Sequence, residues 1–136
     1  MAAVAELIKI ENDGALSFGN HLLLAKSKKE GFECGGDQYK VKTCREITKL
    51  EKNGMFMYES VPGTSVNGFS EGESGVCFTV EGCEDVQLTL GLEEDTEYCV
   101  KINGKDAGKV CTNLGGKLSI SVELSGCSAV KVEILK

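Results

Sequence analysis

The stretch YKVKTCREITKLEKNGMFMYESVPGTSVNGF, residues 39–69, decides how the chain is read, because it holds the only arginine (Arg45), the only proline (Pro62) and the strongest turn signals. Tyr39, Val41 and Thr43 alternate with Lys40 and Lys42, the period of a half-buried strand. Asn53-Gly54 lies between two extended segments and suits a type I′ turn, in which both central residues need positive φ. Pro62-Gly63 fits a type II turn, with proline setting φ at the first central position and glycine accepting positive φ at the second. The expectation is a hairpin followed by a sharp corner. Residues 44–52 read two ways: Thr43 and Glu46 have capping-box spacing and Asn53-Gly54 could end a helix, whereas the aromatic run Met55–Val61 favours a strand pairing with them.

The same two-residue period recurs outward from this stretch. Val76, Phe78 and Val80 alternate with Cys77, Thr79 and Glu81; Val86, Leu88, Leu90 and Leu92 alternate with Gln87, Thr89 and Gly91. Tyr98, Val100 and Ile102 precede Asn103-Gly104, another hairpin signal, and Leu118, Ile120, Val122 and Leu124 alternate with Ser119, Ser121 and Glu123. Val130, Val132 and Ile134 close the chain. Toward the N-terminus, Val4, Leu7, Ile8 and Ile10 fit a first strand or one helical turn, ended by Asp13-Gly14. Ala15 to Phe18 and His21 to Ala25 flank Gly19-Asn20, a further hairpin candidate, and Lys26 to Asp37 reads as a polar, mobile loop around Gly35-Gly36. Short strands with frequent turns, no fixed-period repeat and no linker predict an all-β protein: one domain over residues 1–136, an antiparallel β-sandwich or jelly roll with one wet face per sheet.

Composition narrows the function classes. Apolar residues at 41% and charged residues at 26% are ordinary for a globular domain. The net charge of −6 opposes nucleic acid and anionic membranes as partners, since both are held mainly by Lys and Arg on phosphate. The basic residues are nearly all lysine, which leaves Arg45 alone for bidentate recognition of an anion. No segment approaches the roughly 20 apolar residues that cross a bilayer. The N-terminus MAAVAELIKIENDG lacks a basic region ahead of an apolar core, so a cytoplasmic location is expected.

Seven cysteines are the most unusual feature. Cys77 and Cys99 fall on the polar phase of their strands, Cys44 continues the phase of Lys40 and Lys42, and Cys34, Cys83 and Cys127 sit in glycine-rich turns. These six are the candidate exposed thiols, against the usual burial of free cysteine; Cys111 has no clear place. No pair has C-x2-C spacing and the chain has one histidine, so a zinc knuckle is excluded and any metal site would be all-thiolate, gathered from distant strands. His21, beside Leu22 to Leu24, reads as a partly buried structural residue rather than a base for a thiol nucleophile. Glu93-Glu94-Asp95 reads as a solvated turn, and Gly115-Gly116 before Lys117 as a turn rather than a phosphate loop. No dinucleotide fingerprint, P-loop, H-E-x-x-H or G-x-S-x-G occurs. Tyrosine and phenylalanine supply the only aromatics, with no Trp, and Tyr39, Phe56 and Tyr58 read as core rather than as a platform for sugars. No catalytic residue, cofactor or metal ligand is assigned, and the chain is expected not to be an enzyme.

Read together, DQYKVKTCREITKLEKNGMFMYESVPGTSVNGF and FTVEGCEDVQLTLGLEEDTEYCVKINGKDAGKVCTNLGGKLSISVEL resemble a family of short bacterial proteins labelled "endosialidase", for which no activity is established. The second block also looks like accessory β-sandwich domains of polysaccharide-degrading enzymes. The likeness implies a β-sandwich and a glycan as a possible ligand. It implies no catalytic residue, because sialidases hold the sialic acid carboxylate with several arginines and this chain has only Arg45. The function expected is therefore that of a structural or interaction protein that assembles with itself, or binds another protein, through sheet faces or edges. A small carbohydrate- or ligand-binding module and a thiolate metal protein are the alternatives.

Overall fold

A computed structural model describes residues 3–124 and 129–136. In chain order the strands are β1 (Ile8–Ile10), β2 (Leu16–Phe18), β3 (Ser27–Cys34), β4 (Asp37–Thr43), β5 (Thr48–Lys52), β6 (Met55–Val61) and β7 (Ser65–Gly72). They continue with β8 (Gly75–Glu81), β9 (Val86–Gly91), β10 (Glu97–Ile102), β11 (Lys105–Cys111), β12 (Lys117–Val122) and β13 (Val130–Leu135). They form two antiparallel sheets, one ordered β1-β2-β7-β8-β13-β10-β11 and the other β12-β9-β6-β5-β4-β3. The protein is an all-β sandwich, as the alternation predicts.

The pairings β8 with β13, β9 with β12 and β10 with β11 are nested, and they switch sheets at each step. That is a long hairpin rolled across the sandwich, the wrap of a jelly roll. Phe18, Tyr58, Phe69 and Phe78 meet between the sheets, with Phe18 and Tyr58 edge to face at 5.2 Å and Phe69 stacked on Phe78 at 5.6 Å. Leu50, Leu88, Leu90, Val132 and Ile134 complete the buried layer. Each such side chain contributes about 1.5–3 kcal/mol on leaving water, so this shared inner layer holds the two sheets in register.

The hairpin signals hold where both residues have positive φ: Asn53-Gly54 (51° and 79°) joins β5 to β6, and Asn103-Gly104 (52° and 80°) joins β10 to β11. Residues 44–52 are not helical. The chain bends at Cys44, whose N–H donates to Ile47 C=O at 2.8 Å, and resumes as β5. Tertiary pairing of β5 between β4 and β6 overrides the local capping signal.

Four expectations fail for identifiable reasons. Lys26–Asp37 is not a loop but mostly strand β3, hidden because an edge strand wet on both faces shows no alternation and because its register to β4 shifts between Lys29 and Phe32, around Gly31 (φ 67°). His21–Ala25 forms turns rather than a hairpin arm, and β2 pairs instead with β1 and β7. At the corner, the Val61-Pro62 peptide is cis and Gly63 lacks positive φ, so the turn is not type II. Gly63 is needed for a different reason: a Cβ there would overlap the Cys44 carbonyl oxygen. Cys44, expected outward, is buried, because the alternation of β4 stops at Thr43 and the bend tucks the next residue under this corner.

Candidate functional site

Each sheet of a sandwich ends in two edge strands, and an edge carries backbone N–H and C=O groups with no ladder partner. Three of the four edges here are blunted. Strand β1 is only three residues long. Strand β3 carries Lys28, Lys29 and Glu30 beside its Gly31 irregularity, with a Lys28–Glu30 ion pair at 3.2 Å. Strand β11 carries Lys105, Asp106 and Lys109, and its register to β10 shifts around Gly108 (φ 103°), whose N–H is taken by Asp106 Oδ1 at 2.8 Å. Charge and bulges on an outer strand keep other chains from adding to it.

Strand β12 has neither device. Its six residues, KLSISV, pair with β9 in unbroken register from Lys117↔Gly91 to Val122↔Val86, and Lys117 at one end is the only charge. The direction of its backbone groups follows from two contacts. Gly116 C=O accepts from Leu92 N–H at 2.7 Å and so faces β9. Lys117 faces the other way: its C=O accepts from Asn113 N–H at 3.1 Å and its N–H donates to Asn113 Oδ1 at 3.0 Å. Strand backbone alternates in direction with every residue. Leu118, Ile120 and Val122 therefore bond to β9, while the N–H and C=O of Ser119 and Ser121 point off the sheet edge.

The side chains divide in the same way. Leu118 and Val122 are buried inward and Ile120 is partly buried against the core. On the outer face the Ser119 and Thr89 hydroxyls lie 3.1 Å apart, and Ser121 donates to Gln87 Oε1 at 3.3 Å. The serine hydroxyls thus have partners on their own sheet, and the unused bonding capacity of β12 is its backbone.

A cavity of ≈ 840 Å³ opens at the end of the sandwich formed by the β5–β6 and β7–β8 turns. Phe56, Met57 and Tyr98 line its apolar part. Phe56, expected in the core, is only half-buried: the register of β5 to β6 shifts between Leu50 and Glu51, which turns its ring outward, where Lys117 Nζ sits 4.8 Å from the ring centre. Four of the charges around the cavity are paired with one another. Lys52 bridges the sheets to Glu71 at 3.0 Å, and Lys136 pairs with Glu93.

The opposite end is sealed. The Thr48 hydroxyl donates to Thr64 C=O at 2.7 Å and accepts from Thr64 N–H at 3.0 Å, so in its 2.8 Å contact with Thr43 the Thr43 hydroxyl is the donor. Tyr58 and Ser60 both reach the Thr64 hydroxyl, at 2.7 and 2.8 Å, and burial pushes the Tyr58 phenol well above its ordinary pKa. His21, in a turn rather than on a strand, places Nδ1 2.6 Å from Ser65 Oγ. Ser65 is completely buried, so this pair cannot present a nucleophile to a substrate.

The thiols are dispersed. Cys83 and Cys111 are exposed, Cys34, Cys77 and Cys99 half-buried, and Cys44 buried; Cys127 lies outside the described residues. Cys77 faces Glu133 across the ladder, and burial, reinforced by that carboxylate, pushes its thiol pKa up, the opposite of what a metal-binding or nucleophilic thiolate needs. Among the described residues no group of three or more His, Cys, Asp or Glu side chains could hold a metal ion. No known protein family, curated protein or solved structure matches the chain. Alternation in the sequence placed β12 as a strand but carried no sign that it lies outermost.

Proposed function

We propose that this domain is a non-catalytic interaction protein that associates through the open edge of β12. The observation that carries this reading is the contrast among the edges: three are short, charged or bulged, and β12 is regular, nearly uncharged and directs the backbone of Ser119 and Ser121 outward. Addition of a strand to such an edge is a recurring mode of protein recognition, with main-chain hydrogen bonds supplying the affinity.

Two proline substitutions test it. Ser121→Pro deletes an outward N–H and leaves the β9 ladder intact, whereas Ile120→Pro deletes a ladder bond and serves as the destabilised control. Light scattering on a sizing column should show a species above monomer mass for the natural chain, unchanged by reductant, and a folded monomer for Ser121→Pro. A strict monomer across the accessible concentration range, or an assembly that collapses on reduction, would overturn the reading.

The ≈ 840 Å³ cavity supports a second reading, a small-ligand or carbohydrate module, because the half-buried ring of Phe56 offers apolar surface within a size range usual for ligand sites. It ranks below the first because two of the surrounding lysines are already held by glutamates, Lys52 by Glu71 and Lys136 by Glu93. Saturable binding of a glycan that is lost in Phe56→Ala, with the fold retained, would promote it.

A further inference from the structure

Resting on the edge reading above, we propose that the occupant of the β12 edge is a second copy of this chain, joined antiparallel about a two-fold axis through Ile120. Three registers can be compared from the residues alone. Centring the axis on Ile120 sets Ser119 opposite Ser121 of the copy, and Ser121 opposite its Ser119. Every outward N–H and C=O of these residues then exchanges with its counterpart, and Ile120 meets Ile120 as the closer, non-hydrogen-bonded pair. The same axis sets Leu118 opposite Val122 on the inner face and Lys117 opposite Glu123 on the outer face. Both charged residues are exposed, so the single positive charge of the strand meets the negative charge just beyond its other end, twice per dimer.

Of the neighbouring registers, the axis on Ser119 loses on both counts and the axis on Ser121 loses on charge. An axis on Ser119 sets Ser121 against Lys117, whose backbone groups are already held by Asn113. An axis on Ser121 sets Ser119 against Glu123 and leaves Lys117 without an opposite charge. Only the Ile120 register uses both free backbone residues and neutralises both charges. It also gives the partly exposed Ile120 an apolar neighbour.

The arrangement is isologous, so forming it consumes the edge of both copies and joins their six-stranded sheets into one continuous sheet. A discrete dimer is expected, not a filament.

The test is a charge exchange read by sedimentation equilibrium at low salt. Lys117→Glu and Glu123→Lys each create like-charge pairs at both ends of the interface, and each should weaken the dimer by about tenfold, since exposed pairs are worth up to about 1 kcal/mol apiece. The double variant, with the two charges exchanged, should return to the natural affinity. Ser121→Pro should be monomeric, and circular dichroism confirms that each variant is folded. If Ser121→Pro dissociates the assembly but the double variant is no tighter than the single ones, the edge reading stands and this register is overturned. If neither the proline nor the single charge reversals change the mass, both are overturned. An open-ended polymer from the natural chain also overturns the two-fold arrangement.

Discussion

The corner joining β6 to β7 and the edge of β12 are both rich in Ser and Thr, yet they use them in opposite ways. At the corner, Thr43, Thr48, Ser60, Thr64 and Ser65 are buried, and their hydroxyls bond to one another or to backbone groups that would otherwise be stranded. Among the described residues no buried side-chain polar atom lacks a partner. At the edge, Ser119 and Ser121 are exposed, their hydroxyls are occupied on the outer face, and their backbone is left over. The same residue types close one region and open the other. What separates them is position in the sheet order: a polar group between two strands finds a partner inside the chain, and one beyond the last strand must find it in water or in another chain.

If the corner is sealed as tightly as its geometry indicates, it should be the least tolerant place in the molecule. Gly63→Ala tests this most severely, because the added methyl overlaps the Cys44 carbonyl and both backbones are pinned: Gly63 N–H donates to Arg45 C=O at 2.9 Å, and Arg45 N–H to Leu23 C=O at 2.7 Å. The expected loss is at least the roughly 3 kcal/mol at the upper end of overpacking, measured by urea denaturation. An unchanged midpoint would mean that the corner yields and is not the rigid region of the comparison.

Thr48→Val is the next step down. The shape is nearly kept, but the N–H and C=O of Thr64 both lose their partner inside the protein, at about 1–3 kcal/mol for each buried group left unsatisfied. A loss of about 2–4 kcal/mol in the same denaturation experiment is expected. A loss below about 0.5 kcal/mol would show that water reaches the corner.

How legible these two regions were in the sequence follows from the same contrast. The strands with one dry face announced themselves: Val76 to Val80, Val86 to Leu90 and Leu118 to Val122 alternate because one side of each touches the core. Strands β3 and β11 did not, because a strand exposed on both faces has no reason to alternate. Cys44 lies one residue past the end of β4, where the period of that strand no longer applies. Gly63 has the local marks of a turn glycine, but its need for a missing Cβ arises from Cys44, nineteen residues away, and leaves no local mark. The candidate site was the least legible part. KLSISV reads identically as a central or an outer strand, and only long-range pairing decides which it is.

The smallest effect concerns His21, the titratable group beside the sealed corner. Burial lowers its imidazole pKa from the ordinary 6.5, and Glu81 opposes part of that shift. The folded state therefore favours the neutral ring, whose Nδ1 lies against Ser65 Oγ. The unfolded chain protonates near 6.5, at higher pH than the folded one, so unfolding takes up a proton. Stability is then fully present above about pH 6.5 and declines as pH falls through the lowered folded value. Thermal midpoints between pH 7.5 and 5.5, a window chosen to bracket the imidazole, should show a shallow decline in the natural chain and a flatter profile in His21→Gln, with circular dichroism as the readout. The slope must be smaller than either substitution effect above, because His21 is only partly buried and water screens its charge. If the slope persists unchanged in His21→Gln, it belongs to carboxylates elsewhere. The ring at the corner would then be as free of the fold as the backbone of β12 is, and the distinction between a closed region and an open one would have to be drawn inside His21, at the Thr43–Thr48–Thr64 hydroxyls themselves.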